Sequence, residues 1–158
     1  MRAALIAVVV LGCGGAPLRE ENTLSDSVRR FNDDVRWQRF AVAATAIPPR
    51  ERSQFVEDMD ERGSDLKITD YEVVRVDARG DREARVQVKL SWYLASEGTL
   101  RETHALQTWE RHGKSWWMVD DVRLRGAQMP GLAEPRAAGL PEPSSPPDDA
   151  AAPPPGAR

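Results

Sequence analysis

The sequence predicts an α+β fold in which N-terminal helices pack on a curved four-stranded antiparallel sheet, followed by a disordered C-terminal tail. Three observations predict it. Apolar residues recur at helical spacing from Leu24 to about Gly63 and then switch once to strand alternation. The alternating part divides into four runs, "DLKITDYEVVRVDAR", "EARVQVKLSWYLAS", "TLRETHALQTWER" and "KSWWMVDDVRLR", separated by Gly80, Glu97-Gly98 and His112-Gly113. From Ala127 the texture changes to "AQMPGLAEPRAAGLPEPSSPPDDAAAPPPGAR", which lacks aromatic and β-branched residues.

The chain opens "MRAALIAVVV LGCGG". Arg2 is a minimal positive start, Ala3 to Leu11 form an apolar run too short to span a bilayer, and Gly12 is the small residue a signal peptidase needs beside its cut. Residues 1–12 are therefore read as a signal peptide. The segment Val10-Leu11-Gly12-Cys13 resembles the lipobox of bacterial lipoproteins. That resemblance implies that Cys13 carries the lipid and becomes the first residue of a tether over 13–21. It also implies a cell-envelope location. Because Gly14 and Gly15 follow the cysteine in place of an aspartate, the outer membrane facing the periplasm is favoured. Cys13 is the sole cysteine, which excludes an intramolecular disulfide or a multi-cysteine metal site.

The folded domain is placed at 22–126. Ser25 or Thr23 can cap a first helix whose Leu24, Val28, Phe31, Val35, Val42 and Ala46 share one stripe. Its C-terminal half carries a second apolar face, Trp37, Phe40, Ala44 and Ile47, which either the next helix covers or a ligand or partner meets. Pro48-Pro49 ends that helix and suits the first turn of a second one, which stops at Gly63 and has Phe55, Val56 and Met59 as its apolar face.

In the second strand Ala84, Val86, Val88, Leu90, Trp92 and Leu94 alternate with polar residues and define the buried face. Two-residue turns at Glu97-Gly98 and His112-Gly113 would place Trp92 opposite Thr103, Val86 opposite Trp109, Trp109 opposite Trp116 and Gln107 opposite Met118. On that register Trp116, Met118, Val122 and Leu124 face inward. Thr103, Gln107 and Asp120 are then the inward polar residues, with Gln107, Arg36 or Arg39 as partners for Asp120, and His104 and Asp121 pair on the outer face. Val73 and Val74 point oppositely, which suggests a bulge near Asp70 in the first strand.

This order of elements, with the "QTWERHGKSWWMVDDVRL" ending, resembles the cone-shaped fold of the nuclear transport factor 2 superfamily, also called SnoaL-like or cystatin-like, over Leu24 to Arg125. The resemblance implies a fold used by isomerases, dehydratases and cyclases acting inside the cone, and by many non-catalytic binding domains.

A net charge of −3 argues against nucleic acid as a partner. No phosphate loop, metal-ligand spacing or nucleophile elbow is present, so no cofactor is expected. Three functions fit. The leading one is a lipid-anchored, non-catalytic envelope module that binds a protein partner, or a second copy of itself, through an outer-face patch of Tyr93, Leu106, Trp117 and Val119. The second is a carrier of a small apolar ligand in the cone, whose interior is assigned to Trp37, Phe40, Trp92, Trp109 and Trp116. The third is a small cofactor-free enzyme using Asp120, with Gln107 and Thr103 beside it. A cavity of about 300 Å3 or more would favour the last two. The tail, 127–158, cannot bury enough apolar area to offset its ordering entropy, so its removal is expected to leave the melting temperature nearly unchanged.

Overall fold

The computed structural model describes residues 23–134. Cys13, the signal peptide, the tether and the tail beyond Glu134 lie outside the described residues. Helix α1 spans Leu24–Arg36, α2 Phe40–Ala43 and α3 Arg52–Gly63, with a 3-10 turn at Ala44–Ala46. The strands are β1 (Leu66–Arg79), β2 (Glu83–Leu94), β3 (Arg101–His112) and β4 (Ser115–Gly126), in sheet order β1-β2-β3-β4, all antiparallel. The helices lie on the inner face of this open sheet.

Helix α1 starts where Thr23 accepts a hydrogen bond from the Asp26 amide at 3.2 Å, satisfying a first-turn donor. Val28 and Phe31 deliver its apolar stripe to the core, and the Tyr71 hydroxyl of β1 donates to the Arg29 carbonyl, 3.1 Å away. The stripe does not continue as one helix to Ala46. The chain breaks at Gln38, which adopts a left-handed φ of 56°. The Arg39 guanidinium reaches back to Asp34 Oδ1 at 2.7 Å, and the Gln38 side chain donates to the Gly63 carbonyl at 2.7 Å. Beyond the break Phe40, Ala43, Ala44 and Ile47 are buried, so the second apolar face is covered within the chain. Phe40 packs on Gly63, where an added Cβ would come within 2.8 Å of its ring. Trp37, assigned to the interior, is 63% exposed, because the break ends the helix before its ring can turn inward. Trp37→Ala is therefore expected to change stability by less than about 0.5 kcal/mol, measured by thermal melting.

The buried face of β2 is as read: Ala84, Val86, Val88, Leu90 and Trp92 are all at or below 5% exposure. Its register to β3 is displaced by two residues from the expected one, with Leu90 opposite Thr103, Val86 opposite Gln107 and Ala84 opposite Trp109. The cause is a longer turn. Asp65 takes the Ser96 amide and hydroxyl at 2.7 and 2.8 Å, and Gly98, at φ 70°, donates to the Leu94 carbonyl, so the loop closes over more than two residues. A shift of two preserves faces, which is why the core assignment survives it.

Between β3 and β4 the hairpin turns at Gly113-Lys114, setting Trp109 against Met118 in place of Trp116. A bulge then follows between Thr108 and Trp109, with Val119 as the extra residue, and shifts β4 by one. Beyond it Asp120 pairs with Thr108 on the outer face, Asp121 pairs with Gln107 on the inner face, and Val122 pairs with Leu106 outside. Asp120, expected inside, is exposed, and Asp121, expected outside with His104, is inside. His104 stays on the outer face opposite Lys89 and Arg125. Leu124 falls at a second irregularity and is 41% exposed. In β1 the register shifts between Ile68 and Asp70, as the Val73-Val74 pair suggested, and again between Val73 and Arg75.

The packed unit does not end at Gly126. Residues 127–134 fold back as a strap: Ala127 donates to the Glu102 carbonyl, Arg123 donates its amide to the Ala133 carbonyl, and Met129 is 8% exposed within the core. Arg123 also grips the Glu134 carboxylate with Nε at 2.7 Å and Nη2 at 2.6 Å. The boundary set at 126 from composition is thus corrected. Met129 and Leu132, together with these hydrogen bonds and the ion pair, dock this segment although it has no aromatic or β-branched residue.

Candidate functional site

The concave face of the sheet holds a cavity of about 200 Å3. Phe31 and Val35 of α1, Phe55 and Met59 of α3, Ile68, Leu90 and Met118 of the sheet, and Met129 and Leu132 of the strap form its apolar walls. Asp58 and Arg62, 3.3 Å apart, stand at its α3 side. The strap is close there because Gly131 has no side chain: a Cβ would fall 2.1 Å from the Arg62 guanidinium, and the residue's φ of 83° also suits glycine.

The polar part of the lining is small. Asn32 and Gln107 form a reciprocal amide pair, with Gln107 donating to Asn32 Oδ1 at 3.0 Å and Asn32 donating to Gln107 Oε1 at 3.2 Å. Asn32 also donates to the Val28 carbonyl at 2.8 Å, and the Trp109 indole donates to Gln107 Oε1 at 3.4 Å. Both amides are at least nineteen-twentieths buried. This pair is the rigid floor on which the third group, Asp121, stands. Asp121 is half-buried as a residue, yet its Oδ1 is shut off from solvent and has no hydrogen-bond partner. Burial pushes its carboxyl up to about 8; the Gln107 side chain pulls it back, and the neighbouring Asp120 adds to the rise. At neutral pH this group is mainly a protonated acid, a hydrogen-bond donor in an apolar setting.

Of the residues assigned to the interior from sequence, Phe40, Trp92 and Trp109 are buried, Trp116 is half-buried and packs on the core from the edge, and Trp37 is outside. Trp92 and Trp109 do not line the cavity; they fill the sheet face beside it. Thr103 is buried but committed, accepting from the Trp92 indole at 2.8 Å and donating to the Ala127 carbonyl at 2.6 Å. Gln107 is at the site as expected. Asp120 is not, and neither Arg36 nor Arg39 serves it: Arg36 pairs with Asp70 at 3.3 Å and Arg39 with Asp34. The residue missed was Asp121. No sequence signal separates it from Asp120, since the bulge that chooses between them lies in a run of doubled residues, Trp116-Trp117 and Asp120-Asp121.

The outer face is largely charged and polar, with Lys89 bound to Glu72 at 2.6 Å across the strands. The four residues expected to cluster there are spread along it. Trp117 lies opposite Glu110, which pairs with Glu83 at the start of β2, whereas Tyr93 pairs with Lys67 at the other end of that strand. Leu106 sits between them, opposite Val122 and Gln87, and Val119 occupies the bulge. Trp117 is stacked on His112 at 4.2 Å. Among the described residues no group of three or more His, Cys, Asp or Glu could hold a metal ion, and no helix is long and apolar enough to cross a membrane.

Helices on the concave side of an open antiparallel sheet, with a mainly apolar cavity and one buried carboxyl between the two layers, define an α+β domain. Solved structures share the fold. A SEC-C motif containing protein from Rhodopseudomonas palustris matches with a TM-score of 0.58 at 11% identity, over 68% of this chain and 83% of its own. A ketosteroid isomerase-like protein from Erwinia carotovora atroseptica matches with a TM-score of 0.55 at 10% identity, over 68% of this chain and 98% of its own. At these identities the likeness is one of fold. No sequence family and no curated protein matches the chain.

Proposed function

We propose that the domain binds a small, mainly apolar molecule carrying a hydrogen-bond acceptor such as a carbonyl, with protonated Asp121 as the donor. The observation that carries this reading is the unpartnered, buried Oδ1 of Asp121 in a mainly apolar cavity. A buried polar atom without a partner costs about 1–3 kcal/mol, which a ligand acceptor would recover. The volume, smaller than the 300 Å3 set as a threshold from sequence, limits the ligand. An apolar cavity of about 150 Å3 takes benzene, so one ring with a substituent fits.

The matched probes are cyclohexanone and benzene, two six-membered rings of which only the first has an acceptor. Cyclohexanone is expected to bind about three- to tenfold more tightly at pH 6, and to lose that preference above the Asp121 pKa of about 8. Equal binding of the two at both pH values would contradict the reading. A second reading, proton transfer on such a ligand, is favoured by the same carboxyl titrating near neutral pH, where an acid can both give and take a proton. Asp121 would then hold the role that the sequence suggested for Asp120.

The lipobox-like segment supports a further part of the proposal: attachment through Cys13 to the bacterial envelope, at the outer membrane facing the periplasm. Cys13→Ser should leave unprocessed precursor or a form released from the membrane. Mass spectrometry showing a mature N terminus elsewhere than an acylated Cys13 would refute it. Partner binding or self-association through the outer face is a further part of the proposal, resting on Trp117 and on the Leu106–Val122 pair, between which Thr108 and Asp120 stand. Loss of self-association in Trp117→Ala, read by analytical ultracentrifugation, would support it.

A further inference from the structure

A second cavity of about 210 Å3 lies between α1, the α2 turn and the start of β4, with Phe31 as the wall it shares with the first. Ser27 and Asp34 line it from one face of α1, two turns apart. Both are buried, at 6% and 3% exposure. Both also have an unpartnered polar atom: Ser27 Oγ makes no hydrogen bond, and Asp34 uses only Oδ1, which takes Arg39 Nε and Nη2, each at 2.7 Å, while Oδ2 is left without a donor. Two such atoms, at opposite ends of the α1 wall of one cavity, form a built polar site that the first cavity does not use.

The charges decide which ligand fits. An anion would meet the open carboxylate oxygen of Asp34. A cation would meet two guanidinium groups, that of Arg39 on Asp34 and that of Arg30, which lines the cavity and belongs to no ion pair among the described residues. What satisfies all of them is a neutral ligand with several hydroxyl groups, donating to Asp34 Oδ2, exchanging a hydrogen bond with Ser27 Oγ and accepting from Arg30. The half-buried Trp116 indole supplies a flat apolar wall for the C–H face of a ring. We infer that this cavity is a binding site for a neutral, hydroxyl-rich ring of monosaccharide size.

The test uses the full-length chain, titrated with glucose and with N-acetylglucosamine, and reads the backbone amides of Ser27 and Asp34 and the Trp116 indole N–H by NMR. Ethylamine and inorganic phosphate serve as the cation and anion probes. Saturable shifts at these three residues with either sugar, and not with ethylamine or phosphate, are the expected result. Ser27→Ala, which removes the hydroxyl and leaves the Arg39 pair intact, should weaken sugar binding about three- to tenfold, and Trp116→Leu should weaken it while the melting curve shows the variant folded. The inference is overturned if neither sugar shifts these residues, if ethylamine or phosphate shifts them more strongly, or if Ser27→Ala binds as the parent does.

Discussion

Asp121→Asn is expected to abolish a pH dependence of stability that the parent protein shows between about pH 4 and pH 8. The folded carboxyl is held near 8 and that of the unfolded chain near 3.8, so folding takes up a proton throughout this window. The stabilisation that protonated Asp121 provides is fully present below the unfolded value and is lost as pH rises towards the folded one. A single proton linked in this way changes stability by up to about 1.4 kcal/mol per pH unit. Across the window the loss amounts to several kcal/mol, a large share of the stability of a domain this size. Asn at this position cannot ionise, so at pH 8 the variant should be the more stable protein and at pH 4 the less stable or equal one. Urea titrations of both proteins at several pH values measure the difference directly. The exposed carboxylates whose pKa is lowered, Asp65 by Ser96 and Glu134 by Arg123, act in the opposite direction in both proteins and cancel from the comparison.

Truncation after Gly126 should lower the melting temperature by at least about 8 °C, because a buried methionine is worth about 2–5 kcal/mol when cut to alanine and each kcal/mol moves a domain of this size by about 4–8 °C. Met129 is that methionine, and Leu132 goes with it. Met129→Ala in the full chain should reproduce most of the loss. Glu134→Gln should reproduce little, since its ion pair with Arg123 is exposed on the Glu134 side and screened by water. The strap also closes the Asp121 cavity, so its removal should bring the Asp121 pKa down towards the ordinary carboxylate range. A truncated chain that melts with the parent would show that residues 127–134 contribute nothing to the core.

Much of the architecture was legible in the sequence, and the reason is the period of two in β2. Ala84 to Trp92 alternate so cleanly that no displacement by two residues alters which of them is buried, and the actual displacement by two did not. The same logic explains the main error. A bulge of one residue at Val119 exchanges inside and outside from Asp120 to Arg123, and the doubled residues of β4 offer an apolar or acidic side chain to either face. Asp120 and Asp121 are chemically identical until the sheet chooses between them. Gln107 is legible because its face is set by β2, where it pairs with Val86, while the extra residue lies in β4. One long helix would turn Trp37 inward, but an Arg39 to Asp34 contact and a left-handed Gln38 end the helix there. The strap is not legible in composition, since its apolar contribution is confined to Met129, Leu132 and Ala127, beside a glycine at 131 that lets the chain approach Arg62.

The cone interior is read as a ligand site because it keeps a neutral carboxylic acid inside an apolar cavity, and that protonation state can be observed without knowing the ligand. The direct measurement is the titration of the Asp121 side-chain carboxyl followed by its 13C resonance in the full-length chain, with Asp121→Asn to assign the signal. A midpoint near 8 is the predicted result. A midpoint in the ordinary aspartate range, about 4, would mean that Asp121 is ionised and solvated at neutral pH, and that the cavity does not present the donor on which the proposed ligand chemistry rests.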